Sequence, residues 1–317
     1  MKHCISLPVR VSTAVAPALI SLALLLPGLL IAAGEKQFSS PQAAADALKA
    51  AVEARDTNAL HAIFGPAGHG MVSVDVVEAA EERELFMNRV KEKVDMVAES
   101  DSRQVLQLGA DGWPFPIPLV KQEGQWHFDT EAGKEEILNR RIGANELGAI
   151  QVCRAYVQAQ REYAGADHNS DEVLEYAEHL RSTPGKHDGL YWSTKTGDEL
   201  SPLGPLVAQA RGEGYRQQNK ILTEAQSPYH GYYFKILTQQ GKHAPGGKYS
   251  YIINGHMIAG FALVAWPAEW GNTGVMTFIV NQRGKVYQKN LGPKTPSIAS
   301  AMTAYDPDAT WALTSAE

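Results

Sequence analysis

Histidines beside acids and glycines are the first residues in this chain to weigh for chemistry. His187-Asp188, His230 and His256 each sit next to a glycine in a stretch that reads as loop or strand end. A histidine held by an acid can serve as a general base for hydrolysis, and several converging histidines can ligate zinc. Only tertiary folding can bring these together, because no His-Glu-x-x-His pair puts two ligands on one helix face. Lone histidines are more often structural. His187-Asp188 reads as a turn before Gly189, and His230 as packing at a strand start.

Other catalytic patterns are missing. There is no Gly-x-Ser-x-Gly elbow, and Ser182 and Ser201 lie in Pro-containing loops where hydroxyls bond the local backbone. Cys153 falls inside an apolar helical stripe, where a thiol is small, buried and unreactive. Gly241–Lys248 superficially resembles a phosphate-binding loop. Gly247 stands where lysine is needed, Tyr249 replaces Ser or Thr, and Pro245 removes an amide donor, so it reads as a hairpin loop. The acids Glu81, Glu82, Glu84, Asp171 and Glu172 lie on amphipathic helical patterns and read as solvated. No acid is isolated in an apolar strand beside another, as split pKa values would require. The residues therefore assign no catalytic, cofactor or metal site.

Aromatic residues give the strongest positive signal. Tyr191-Trp192, Tyr229, Tyr232-Tyr233, Trp266 and Trp270 cluster in the last third beside Pro and Gly. Rings on loops can form recognition surfaces, which makes Tyr191, Trp192, His230, Tyr232 and His256 the candidate binding-surface residues. The plainer alternative is that the rings seal sheet edges and plug long loops.

The elements that must position these residues follow from periodicity. Ser40-Pro41 caps a helix with Ala45, Leu48 and Val52 on one face, and Asp56 caps a second that Gly65-Pro66 ends. A third helix is expected from Val76 to Val97. Arg103–Leu108 alternates as a strand, and Pro118–Lys121 with Gln125–Asp129 forms a hairpin about Gln122-Glu123-Gly124. A long helix is expected from Glu131 to Ala164, with a break at Gly143. Its stripes Ile150, Val157, Ala164 and Ala149, Cys153, Tyr156, Tyr163 together need a sheet to cover them. A short helix over Asp171–Arg181 follows Ser170. Strands over Gly231–Thr238, Tyr249–Ile253, Ile258–Trp266, Val275–Asn281 and Lys285–Lys289 make an antiparallel meander. The fold class is α+β in two units, 36–140 and 141–317. The first is helices with a curved, cone-like antiparallel sheet, and the second a long helix on a four-stranded antiparallel meander.

The N-terminus is set apart. Lys2 and Arg10 precede an uncharged stretch, Ala14–Ala33, broken by Pro27-Gly28 and followed by small residues. That order reads as a secretory signal peptide over 1–33, placing the mature protein in the periplasm of a Gram-negative bacterium. The alternative is an uncleaved inner-membrane anchor, which Pro17 and Pro27 weaken. Without Lys2 and Arg10 the net charge of −6 becomes −8, which suits solubility and argues against a nucleic-acid partner. One cysteine then remains, so no disulfide inside the chain can form and stability must come from apolar burial.

Three likenesses add to this. The strings Ser182-Thr183-Pro184-Gly185-Lys186-His187-Asp188-Gly189-Leu190-Tyr191-Trp192, Pro228–Phe234, Asn254-Gly255-His256-Met257, Phe261–Pro267 and Gly274–Asn281 resemble an exported bacterial family known as domain of unknown function 2950. That resemblance carries no activity. The helix to Tyr163 with Gly231–Phe234, Thr277–Asn281 and Val286-Tyr287 is similar to the globular heads of type IV pilins and pseudopilins, though no prepilin motif precedes the helix; this implies a fold and not a pilus subunit. Helices followed by a sheet ending in Gly124-Gln125-Trp126 resemble nuclear transport factor 2 relatives, a likeness implying a cone that can hold a small apolar ligand.

The functional expectation is a non-enzymatic periplasmic binding or envelope-assembly protein, contacting an envelope protein, peptide or glycan through its aromatic loops. The alternatives are a hydrolase of an envelope polymer using His187, Asp188, His230 or His256, and a small-ligand binder working through the N-terminal unit.

Overall fold

The computed structural model describes residues 34–194, 199–213, 215 and 228–315; the expected signal peptide, 1–33, lies outside them. The architecture is α+β. Helix α1 (Pro41–Glu53) starts where the Ser40 hydroxyl accepts from Ala43 N, and α2 (Thr57–Phe64) where the Asp56 carboxylate accepts from Ala59 N. These caps satisfy amide donors that a helix start leaves without partners. A 3-10 turn, Pro66–Met71, leads to α3 (Val76–Glu92), capped by Asp75.

The first sheet contains β1 (Val94–Ser100), β2 (Arg103–Leu108), β3 (Trp113–Pro114), β4 (Leu119–Gln122) and β5 (Gln125–Phe128), all antiparallel, in the order β1-β2-β4-β5 with β3 beside β2. The hairpin at Gln122–Gln125 forms as its glycine turn demands, with Gly124 at φ 83. One expectation needs correction: α3 stops at Glu92. Lys93 is extended (φ −161, ψ 143) and Val94–Ser100 pairs with β2. The four-residue spacing of Phe86, Val90 and Val94 is helical, yet β-branched Val94 and Val97 suit the strand that tertiary pairing imposes.

Helix α4 (Thr130–Tyr163) then runs 34 residues without the break expected at Gly143. The expected junction at 140/141 lies inside it. Its buried face includes Arg141, Asn145, Ala149, Ile150, Cys153, Tyr156, Val157 and Tyr163. No helix forms over Asp171–Arg181, which corrects a second expectation. The Asp167 carboxylate instead accepts from the backbone N–H groups of Asn169, Ser170 and Glu172, while Ser170 and Glu172 take φ values of 62 and 66. Side-chain competition for backbone donors, with two left-handed residues, excludes helix there. The chain continues through β6 (His179–Arg181) and β7 (Gly189–Tyr191), a parallel pair, into α5 (Gly204–Gly212).

The second large sheet is wholly antiparallel. It contains β8 (Tyr232–Leu237), β13 (Ala262–Pro267), β14 (Met276–Asn281), β15 (Tyr287–Asn290) and β17 (Ala312–Leu313), in the order β17-β15-β14-β13-β8. The two-residue β17 makes it five-stranded rather than four. Between β8 and β13 lie β9 (Gln239–Gln240), β10 (Tyr249–Ser250), β11 (Ile252–Ile253) and β12 (His256–Met257); β16 (Ala304–Tyr305) pairs with β9. The β9–β10 pairing makes Gly241–Lys248 a hairpin loop, as read. Helix α4 packs on β13 and β14, and α6 (Thr295–Ala301) also contacts β13. All six β13 residues are therefore buried, which accounts for an uninterrupted apolar run where a one-sided strand would alternate. The Tyr156 hydroxyl donates to Ala262 O, and its ring meets Phe261 edge-on at 5.6 Å.

Among the described residues a small buried cluster of Ala210, Tyr215 and Tyr229 accompanies two large ones. One joins α1, α2 and the first sheet around Leu48, Ile63, Leu106 and Phe128; the other joins α4 and the second sheet around Tyr156, Tyr232, Phe261 and Phe278.

Candidate functional site

The first cluster does not close completely. Between α3, the 3-10 turn, the segment Trp113–Ile117 and the first turns of α4 lies a hollow of about 410 Å³. Alternating prolines 114, 116 and 118 keep that segment extended after its short pairing with β2, and its side chains line one wall. Phe115 is the hub of an aromatic set, with ring centroids 5.4 Å from Phe86, 6.1 Å from Phe64 and 6.2 Å from Phe128. Met71, Val72, Leu85, Ile117 and Ile137 are among the other apolar residues of the lining.

The polar part of the wall is almost entirely arginine. Arg141 has a side chain 1% exposed and uses four of its five N–H donors: Nε and Nη2 donate to the two Glu82 oxygens at 2.9 Å each, Nη1 to Asn272 Oδ1 at 2.8 Å, and Nη2 also to Met71 O. This fork matches a carboxylate as lysine cannot, and it fastens α3, the 3-10 turn and the 272 loop to α4. Glu82 is thus a structural partner and not one of a row of solvated acids. Arg89 and Arg140 differ. Their guanidinium carbons lie 4.9 and 5.3 Å from the Trp113 ring centroid, within cation–π range. Each pairs with one exposed carboxylate, Arg89 with Asp111 at 3.1 Å and Arg140 with Glu136 at 2.7 Å, and Arg140 Nη1 also donates to Pro114 O at 3.0 Å.

Behind Arg141 a buried polar network crosses between the two clusters. Asp75, 2% exposed, accepts from Val77 N and Glu78 N on one oxygen, and from the Tyr215 hydroxyl (2.9 Å) and Gly231 N (3.2 Å) on the other. Ser73 donates to Glu78, and Asn145 Nδ2 donates to Thr273 O at 3.1 Å. Burial raises the Glu78 pKa above its ordinary value, against hydrogen bonds from Ser73 and Asn145 that lower it. Every member is satisfied, as a buried network must be.

The residues singled out in the sequence are dispersed. Tyr232 is fully buried and its hydroxyl donates to Met276 O, so it is part of the core. Tyr191 and Trp192 are each 6% exposed. Trp192 lies flat on His187 at 4.3 Å, and its indole N–H donates to Glu199 O. His230 faces Glu213 at 3.0 Å, and His256 faces Glu175 at 3.1 Å and Asp171 at 3.5 Å. His187 lies 3.8 Å from Glu199, so each of the three histidines has its own carboxylate. Two groups, His168 with His187 and Glu199, and Asp171 with Glu175 and His256, gather three ligating atoms within 4.8 Å. The Glu199 side chain of the first is 54% exposed, and in both groups the Nδ1 of each histidine already faces a carboxylate within 4 Å. Burial pushes the Cys153 thiol up to about 12, which fits the inert role read for it.

The hollow's residues escaped the sequence reading, although Trp113-Pro114-Phe115-Pro116-Ile117-Pro118 and the adjacent Arg140-Arg141 are its visible traces. Among the described residues no helix is long and apolar enough to cross a membrane. No curated protein and no solved structure matches the chain. A family model does match, over residues 35–314, and by that span the chain belongs to the family described as protein of unknown function DUF2950.

Proposed function

We propose that this chain is a non-enzymatic binding protein, working outside the cytoplasm, that holds a small and mainly apolar molecule in the hollow of its N-terminal region. The observation that carries this reading is the hollow itself. Its volume of about 410 Å³ falls within the roughly 300–1,000 Å³ typical of small-molecule sites. Its walls are largely rings and branched aliphatics with a few placed polar groups, as such sites require. Export rests on the charge, apolar stretch and breaker at the N-terminus. The likeness to pilin heads stays a proposal about arrangement, supported by α4 lying on an antiparallel meander. Recognition of an envelope partner through the aromatic loops has less support, because Tyr191, Trp192 and Tyr232 are buried. A hydrolase has less as well, since each of its histidines is paired with a different acid.

Titration with phenylnaphthylamine, an uncharged fluorophore that brightens in apolar surroundings, tests the reading. A saturable rise is expected, lost in Ile137→Trp, whose indole fills the space. Absence of any saturable rise with the unaltered protein would sink it.

A further inference from the structure

We infer that the hollow's ligand is an anionic amphiphile, an apolar body ending in a carboxylate or similar oxyanion, with its head held by Arg89 and Arg140 beside Trp113. This rests on the hollow being a ligand site.

The lining is apolar except for Glu82 and the four arginines 83, 89, 140 and 141. Glu82 and Arg141 cancel each other in a two-pronged pair, so the remaining wall charge is positive. Arg89 and Arg140 are brought to the same indole, one from α3 and one from α4. Two like charges gathered on one ring repel unless an anion lies between or beside them. Within the chain that role falls to Asp111 and Glu136, whose side chains are 58% and 49% exposed. Exposed pairs of this kind are weak, being solvated and screened by salt, so an entering oxyanion can replace them at little cost. Each guanidinium lies within cation–π reach of the ring. Arg140 Nη1 also donates to Pro114 O at 3.0 Å, so the donors an oxyanion would take are those now turned to Asp111 and Glu136. A guanidinium can hold a carboxylate with two parallel hydrogen bonds. Phe86, Phe115 and Ile137 lie next to these arginines in the lining and would receive the apolar body.

Displacement of bound phenylnaphthylamine by decanoate and by decanol, which share a chain and differ in the head, tests this. Decanoate is expected to displace at a concentration lower by about tenfold or more, a difference of about 1.4 kcal/mol, and the preference should shrink at about 1 M salt. Arg89→Gln with Arg140→Gln should bring the decanoate-to-decanol ratio close to one; either single change should lower it part-way, should the double variant misfold. Arg89→Lys with Arg140→Lys, which keeps charge but loses the fork, should retain part of the preference. Equal displacement by the two compounds from the unaltered protein overturns the anionic head and leaves the hollow standing as a ligand site. A ratio unchanged in the glutamine variants overturns the assignment to these arginines. Failure of phenylnaphthylamine to bind at all removes the ligand site and this inference together.

Discussion

The two large buried clusters of this chain are built from similar material and end differently. In the C-terminal one, a sheet is covered on both faces: β13 is buried throughout, and Tyr156, Phe261 and Phe278 are sealed. In the N-terminal one, the outer strand β1 is largely exposed, and α3 meets β1 and β2 near its end, where Gly109 N donates to Arg89 O. Helix α3 also packs against α1, but between it and α4 a space stays open, bounded by Phe64, Phe86 and Phe115 on one side and Ile137 on the other. Full coverage gives close packing; a helix that approaches its sheet at one end leaves room for a guest. The hollow thus follows here from incomplete layering more than from any special residue type.

Stability measurements can break or sharpen that contrast. Phe261→Ala, in the sealed cluster, should cost about 3–5 kcal/mol in chemical denaturation. Arg141→Ala should cost about 2–4 kcal/mol, somewhat less than a wholly buried pair, because Glu82 is 41% exposed and can turn to water. Phe86→Ala borders space that is already empty and should cost only about 1–2 kcal/mol; a loss equal to that of Phe261→Ala would mean the hollow is closed in solution. Tyr232→Phe removes the donor to Met276 O and should cost about 1 kcal/mol.

The smallest effect is a pH dependence between the two clusters. Burial holds the Glu78 pKa above its ordinary 4.5, so the folded state keeps this proton more firmly than the unfolded chain does. The stability it contributes is fully present below that ordinary value and is lost as pH rises through the raised one. Glu78→Gln should therefore gain on the unaltered protein as pH rises from the acid side. Melting curves that keep a constant gap across that range would show that Glu78 does not carry it.

Much of the fold was legible because local signals agreed with the final packing. Ser40 and Asp56 cap as their types predict, the Glu123-Gly124 turn sets the β4–β5 register, and the Cys153–Tyr156 stripe found its sheet. Reading failed where distant partners decided. Val94 completes a helical spacing, yet pairs with Leu108 across a sheet. Asp171 and Glu172 looked like a helix start, but Asp167 had already claimed the amides. A cavity in the N-terminal unit was expected from the cone-like pattern alone; its lining residues could not be named because concavity is a property of several elements at once. Glu82 and Arg141 lie 59 positions apart, and nothing local marks one as the other's partner.

The uninterrupted α4 also constrains how the gene can be dissected. At 1.5 Å per residue its 34 residues form a rod of about 50 Å, planted in both halves. A product stopped at Arg140 keeps Ile137 but forfeits the Arg141 clasp, and one begun at Ile142 carries Tyr156 on a raw, uncapped end. Fragments meant to express one half alone should therefore keep the whole rod.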